Sequence, residues 1–163
     1  MCPARGKPLY TVENYASIDS VLYQMGVVRN RFIARLDAAF AGRGITTAQW
    51  GILRTVAQHR GNTAAELARK FRYDAGALTR MLDRLEQKGW ITRSRDSADR
   101  RCVVIAVTPA GMRVMKAGIP IVVQAHNESL AGFTAAELAQ LKTYLARMQD
   151  NLAPAGADAA EPS

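Results

Sequence analysis

A basic amphipathic helix followed directly by a basic hairpin is the feature that most limits what this chain can fold into. The stretch is DAGALTRMLDRLEQKGWITRSRDSADRR, residues 74–101. Apolar residues recur every three or four positions up to Gly89, which predicts an amphipathic helix that ends at this glycine. A short β-rich run and an arginine-rich turn follow. This order predicts a winged helix, whose helix fits a DNA major groove while the hairpin reaches the minor groove or the phosphates.

Basic charge is concentrated on the same stretch. The whole chain has a net charge of +8. Residues 69–101 contain ten lysines and arginines against five aspartates and glutamates, a net charge of +5, whereas residues 127–163 contain two against five, a net charge of −3. This distribution favours a polyanionic partner, with merely solvated surface charge as the alternative.

Length and composition exclude several other classes of protein. A chain of 163 residues with 48% hydrophobic content suits one domain with its own core. No membrane span or secretory signal is visible, so a cytoplasmic location is expected. Cys2 and Cys102 lie far apart without ligand-spaced partners, so neither a disulfide framework, a metal site nor a cofactor is expected. The hydrolase, nucleotide-binding and zinc-peptidase motifs are absent, and His59 and His126 form no evident acid–base set, so we expect no enzyme.

Periodicity and helix-start patterns predict six helices and one hairpin. Two capping boxes, at Thr63 and Thr134, mark helix starts, and Pro120 is expected to kink or loosen the fifth helix. The predicted helices cover about residues 14–41, 46–61, 63–71, 74–88, 109–129 and 134–152, and the predicted strands cover residues 90–94 and 102–107.

The predicted fold class is mainly α with a small β-hairpin wing. A winged helix-turn-helix core at about residues 46–107 is flanked by N- and C-terminal dimerisation helices, at about residues 14–42 and 109–152. We expect flexible tails at residues 1–13 and 153–163. Residues 1–163 as a whole are expected to form a single domain. The outer helices carry more apolar surface than one small domain needs, which favours a dimer. A six-helix monomeric core is the alternative.

The element order and several motifs resemble the MarR family, the multiple-antibiotic-resistance type of winged helix-turn-helix transcriptional regulators. The resemblance covers about residues 15–152, and its motifs are GALTRMLDRL at 76–85, KGW at 88–90, DRR at 99–101, Val107-Thr108 and Gly111. It implies a homodimer that binds a pseudo-palindromic double-stranded operator, usually as a repressor. A two-fold dimer of such units should contact half-sites about one helical turn, roughly 10 bp, apart.

Five candidate DNA contacts lie on the fourth helix. Small Ala75 and Gly76 would let the helix approach the bases closely, with ordinary capping and packing as the alternative. Thr79 can donate to a base edge or a phosphate, and Arg80 can contact guanine with two hydrogen bonds or hold a phosphate. Arg84 favours a phosphate contact, with an ion pair to Asp83 or Glu86 as the alternative.

Five further candidates surround that helix. The resemblance implies that Asp99 orients Arg101 for a minor groove, which attracts arginine where it is narrow. Asp99 is also suited to cap the hairpin turn. Arg95 and Arg100 add charge for the DNA backbone, and Arg72 before the fourth helix is a further phosphate candidate.

The resemblance also implies a small aromatic acid or a phenol as a possible effector that releases DNA. From their match to family positions, Thr79 and Arg93 could contact the carboxylate of an aromatic acid. The alternative for Arg93 is that it is a wing residue that faces a DNA phosphate. The cleft between the first two helices could also be lined by Tyr23, Arg29, Arg31, Gln58 and His59. For His59 the alternative is a place in the last turn of the second helix, where it would interact with the helix dipole.

Two alternatives concern the switch and the partner. A redox-responsive regulator would use Cys102, a cysteine that on a wing strand usually acts as a small hydrophobe. Gln87 stands where the family's founding regulator has a cysteine, and Cys2 precedes the first helix, so neither matches a known redox position. A winged-helix protein–protein interaction module with an acidic partner is the other alternative.

Overall fold

A computed structural model describes residues 7–95 and 103–153, in which the elements follow the predicted order. The helices are α1 (Val21–Phe40), α2 (Thr47–Ala57), α3 (Ala64–Phe71), α4 (Ala75–Gln87), α5 (Pro109–Ser129) and α6 (Ala135–Leu152). Strands β1 (Ile91–Arg95) and β2 (Val103–Val107) form an antiparallel pair between α4 and α5. The predicted fold class, mainly helical with one β-hairpin, is therefore confirmed.

Side-chain caps determine where three of the helices begin. Thr46, Thr63 and Thr134 each accept a hydrogen bond from a backbone N–H three residues later, and the Gln or Glu there accepts one in return. These reciprocal bonds satisfy backbone donors that the first helical turn leaves unpaired. The boxes predicted at Thr63 and Thr134 are confirmed, and the Gln49 box at Thr46 is an addition.

The cap of α3 also connects this helix to the hairpin. The backbone N–H groups of Asn62 and Thr63 donate to the Glu66 carboxylate and hold the pKa of Glu66 below its usual value. The Asn62 carbonyl accepts a hydrogen bond from the backbone of Ile105 on β2, at 2.7 Å. One short segment thus starts α3 and fixes the second strand beside it.

Helix α1 begins later than the predicted Asn14. Ser20 is its N-cap, with Oγ accepting a hydrogen bond from the Tyr23 backbone at 3.2 Å. A single 3-10 turn, Ser17–Asp19, precedes the cap. Asn14 instead accepts a hydrogen bond from the backbone of Thr11, so it caps a local turn. Because several potential capping residues occur in this segment, apolar spacing alone placed the start incorrectly.

Helix α2 ends at Ala57, earlier than the expected end near Gly61. The backbone of His59 has a φ of 54°, in the left-handed region, which ends the helix. The alternative that placed His59 in the last helical turn is therefore wrong, because the residue lies in the turn that follows.

The first of two compact units, residues 1–125, contains the hydrophobic core. Trp50 of α2 is buried and donates through Nε1 to the carbonyl oxygen of Met115 on α5, at 3.0 Å. On α4, Leu78, Leu82 and Leu85 are buried, and Met81 is partly buried against the core. The other hydrophobic side chains that are at most 2% exposed come from α1, α2, α3 and both strands: Phe40, Ile52, Leu53, Leu67, Ile91 and Ile105.

The second compact unit, residues 126–163, is described as far as Ala153 and contains the end of α5 and all of α6. None of the α6 side chains is buried. Large apolar residues are exposed there: Phe133, Leu141, Tyr144 and Leu152. Helix α5 is continuous through Pro120, whose effect on its axis stays a prediction.

None of the described helices is long and apolar enough to cross a bilayer.

Candidate nucleic-acid interface

Helices α3 and α4 are joined by the short turn of a helix-turn-helix. Arg72 ends α3 in a left-handed conformation, with φ 53° and ψ 41°, which costs a residue with a Cβ about 1 kcal/mol or more. Its side chain is exposed. Asp74 then caps α4 by accepting from the Ala77 backbone at 2.8 Å. The turn therefore presents the Arg72 side chain to solvent close to the N-terminus of α4.

Helix α4 has one buried face and one exposed face. The apolar side of the helix packs in the core, and the exposed positions carry the five candidates for DNA contact: Ala75, Gly76, Thr79, Arg80 and Arg84. Since the helix lies at the surface with small residues at its N-terminal end, it can approach a groove closely.

Thr79 is placed to accept rather than to donate. Its Oγ1 donates to the carbonyl oxygen of Ala75 one turn earlier, at 2.7 Å. The hydroxyl proton is thus engaged within the helix, while the oxygen of this exposed side chain can still accept a hydrogen bond. An adenine or cytosine amino group, or the methyl group of thymine, suits this arrangement.

Gly76 provides room for Arg80. A Cβ added at Gly76 would lie 3.3 Å from Asp74 Oδ1 and 3.6 Å from Arg80 Nη1. The arginine side chain therefore runs back over the glycine toward the start of α4, the usual direction for long helical side chains. Its guanidinium group lies beside the first turn of the recognition helix, where base contacts are made.

The wing is described over its two strands, β1 and β2, and Arg95 is exposed at the end of β1. Asp99, Arg100 and Arg101 lie outside the described residues, as does Cys102. The DNA contacts predicted for the first three, and the redox alternative at Cys102, stay predictions.

The partners of Arg93 were not foreseen from the sequence. Arg93 Nη2 lies 2.6 Å from Asp83 Oδ1, and Nε lies 3.5 Å from Glu86 Oε2. Both carboxylates were considered instead as partners for Arg84, which has no ion pair within residues 7–95 and 103–153. The sequence does contain a signal for these contacts. Asp83 and Glu86 are three residues apart on α4, so their carboxylates lie on one face of the helix.

Five of the ligand candidates are distributed over three elements and one turn. Tyr23 and Arg31 are exposed on α1, and His59 is exposed in the turn after α2. Thr79 is on α4 and Arg93 on β1. No hydrogen bond or ring contact among the described residues joins any two of the five, so a shared pocket remains a prediction.

These features define a winged helix-turn-helix protein with an exposed recognition helix. Residues 45–103 match the MarR family. The multiple antibiotic resistance protein MarR of Escherichia coli is 34% identical over 120 residues, which cover 73% of this chain and 78% of that protein.

Two solved structures illustrate the similarity in three dimensions. A cysteine-to-serine mutant of E. coli MarR in complex with operator DNA is 31% identical, with a TM-score of 0.71, and the match covers 80% of this chain and 94% of that chain. Bordetella bronchiseptica BpsR, whose DNA binding is regulated by 6-hydroxynicotinic acid, shares the fold at 21% identity, with a TM-score of 0.73 and coverage of 83% and 97%. The chain belongs to the MarR family, whose members are transcriptional regulators and not enzymes.

Proposed function

We propose that the protein is a homodimeric, sequence-specific regulator that binds a pseudo-palindromic double-stranded operator and represses transcription. The exposed face of α4 supports this proposal most directly, because small residues, Thr79 and two arginines lie opposite a buried leucine face. Such a helix can enter a major groove while its core packing holds it in place.

The proposed contacts divide between bases and phosphates. Arg80 would contact guanine O6 and N7 with two hydrogen bonds, and Thr79 would accept from a base amino group. Arg84 and Arg72, which flank these positions, would hold phosphates and fix the register of the helix on the duplex. Ala75 and Gly76 would allow the close approach that these contacts require.

A second copy of the chain would cover apolar surface that the monomer leaves exposed. In the first unit this surface includes Ile18, Val21, Leu22, Met25 and Val28. In the second unit, α6 has no buried side chain at all. Exposed apolar surface of this extent is typical of an interaction site, and MarR-family proteins act as dimers.

The effector part of the proposal rests on the family resemblance, which favours a small aromatic acid or a phenol that releases the operator. The geometry adds one condition. Because Arg93 already contacts Asp83 and Glu86 through Nη2 and Nε, an effector carboxylate would have to share this guanidinium group with them through its remaining N–H donors.

The compartment and the absence of catalysis are also part of the proposal. A repressor acts where the chromosome is, which places it in the cytoplasm. DNA release on effector binding requires no covalent chemistry, so we propose no catalytic activity.

Replacing Arg80 by alanine should weaken operator binding by about 1–3 kcal/mol and relax the preference at one base pair of each half-site. The matched control is Arg84→Ala, one turn further along the same exposed face. Loss of a phosphate contact should weaken operator and unrelated duplexes alike. Competition titrations with single-base operator variants measure both effects. An Arg80→Ala protein with unchanged affinity and base preference would rule out the base contact.

A further inference from the structure

Three contacts connect the first wing strand to the recognition helix. The Arg93 guanidinium group contacts Asp83 at 2.6 Å and Glu86 at 3.5 Å. The backbone N–H of Arg93 also donates to Glu86 Oε1 at 3.2 Å. One residue of β1 is therefore held through both its side chain and its main chain by two carboxylates of α4.

Arg93 lies on the inner face of the hairpin. It alternates with Thr92 and shares a strand face with Ile91, which is 1% exposed. Its partner across the ladder is Ile105, which is 2% exposed. The Arg93 side chain is itself 24% exposed. Its position therefore suits contact with α4 rather than with a phosphate on the outer side of the wing.

We propose that Arg93 is a positioning residue for DNA binding, which fixes the wing relative to the recognition helix through Asp83 and Glu86. The inference rests on the proposed function, because the wing and α4 must contact one duplex together. If strand β1 shifts against α4, the hairpin tip and the recognition helix no longer match adjacent grooves, although neither has lost a DNA contact of its own.

The competing explanation, a direct contact between Arg93 and phosphate, makes the opposite prediction for Asp83. A carboxylate near DNA repels phosphates, so Asp83→Asn by itself should tighten binding. If Asp83 instead helps to hold Arg93, the same substitution should weaken binding. The sign of the Asp83→Asn effect, with and without Arg93, therefore separates the two explanations.

The test is a double-mutant cycle on operator affinity, with Asp83→Asn and Arg93→Met made singly and together in the full chain. We expect each single substitution to weaken binding by roughly two- to fivefold, the range for a partly exposed ion pair. In the Arg93→Met background, Asp83→Asn should no longer weaken binding. The proposal would be overturned if Asp83→Asn changed operator affinity by the same factor in the wild-type protein and in the Arg93→Met variant. The same holds if Asp83→Asn changed the affinity in neither protein.

Arg84→Met is the matched control, because it removes an exposed arginine from α4, the helix that carries Asp83 and Glu86. A lost phosphate contact should reduce the slope of log affinity against log salt by about 0.9. Arg93→Met should leave that slope unchanged. A reduction equal to that of Arg84→Met would show that Arg93 contacts a phosphate directly and would overturn the proposal.

Hydrogen exchange on the DNA-free protein tests the same contacts without relying on operator binding. Asp83→Asn should accelerate exchange of the β1 backbone amides, including that of Arg93, while Arg84→Met should not. If the wild-type protein bound no operator, the proposed function would fail, and the exchange rates would still decide whether Asp83 restrains the wing. Unchanged exchange in Asp83→Asn would overturn the positioning role.

Discussion

The Gly111→Ala protein is expected to lose about 3 kcal/mol of unfolding free energy. A Cβ at this position would lie 2.0 Å from the carbonyl oxygen of Trp90 and 2.9 Å from Cγ1 of Val107. The carbonyl group belongs to the backbone and accepts a hydrogen bond from the Thr108 N–H at 3.0 Å. It cannot move without breaking the junction between β1 and the start of α5.

The sign of this effect distinguishes steric contact from helix propensity. Propensity alone would make Gly111→Ala stabilising by about 1 kcal/mol, since the glycine is inside α5. The control is Ala117→Gly on the exposed side of the same helix, which should cost about 1 kcal/mol. Denaturant unfolding of both variants at matched protein concentration measures the difference. A Gly111→Ala protein as stable as wild type would show that α5 does not start against the Trp90 backbone.

Removing residues 130–163 is expected to produce a monomer whose operator affinity is lower by about 100-fold or more. The deletion removes α6, which has no buried side chain and exposes Leu141, Tyr144 and Leu152. A monomer can occupy only one half-site, so it loses the gain from binding two half-sites together. Sedimentation velocity and operator titration measure the two consequences.

A shorter deletion provides the control for this experiment. Removing residues 154–163 leaves α6 complete, so this protein should remain a dimer with wild-type affinity. Circular dichroism should show that the longer deletion retains the helical content of the compact unit that ends at Ala125. A tight, folded dimer without residues 130–163 would contradict the role of α6 in dimerisation.

Most of the fold could be predicted because its determinants are local. Apolar spacing that ends at Gly89 was sufficient to place α4 at about residues 74–88, close to its observed range of Ala75–Gln87. The start of α1 was wrong because Asn14 and Ser20 are both capable caps, and only the folded chain shows that Ser20 caps the helix. The end of α2 was wrong because a left-handed conformation at His59 has no clear sequence signature.

The features of the candidate site that the sequence did not predict depend mainly on contacts between elements. Arg93 and its two carboxylates come from β1 and α4, whereas helical spacing alone suggests Arg84 as the partner of these carboxylates. The need for glycine at position 111 also depends on a residue far away in the sequence. Gly111 lies against the backbone of Trp90, which is twenty-one positions earlier. Thr79 was expected as a donor, whereas its proton is engaged by the Ala75 carbonyl.

Sequence-specific operator binding is the central claim, and fluorescence anisotropy on DNA from immediately upstream of this protein's own gene tests it most directly. The titration would be run at fixed salt against a scrambled duplex of the same length, because affinity for DNA depends steeply on salt. We predict binding at least about 1,000-fold tighter to the upstream duplex than to the scrambled one, with release by an aromatic acid or a phenol. Equal binding to both duplexes, followed by failure of a randomised-duplex selection to enrich any sequence, would contradict the claim.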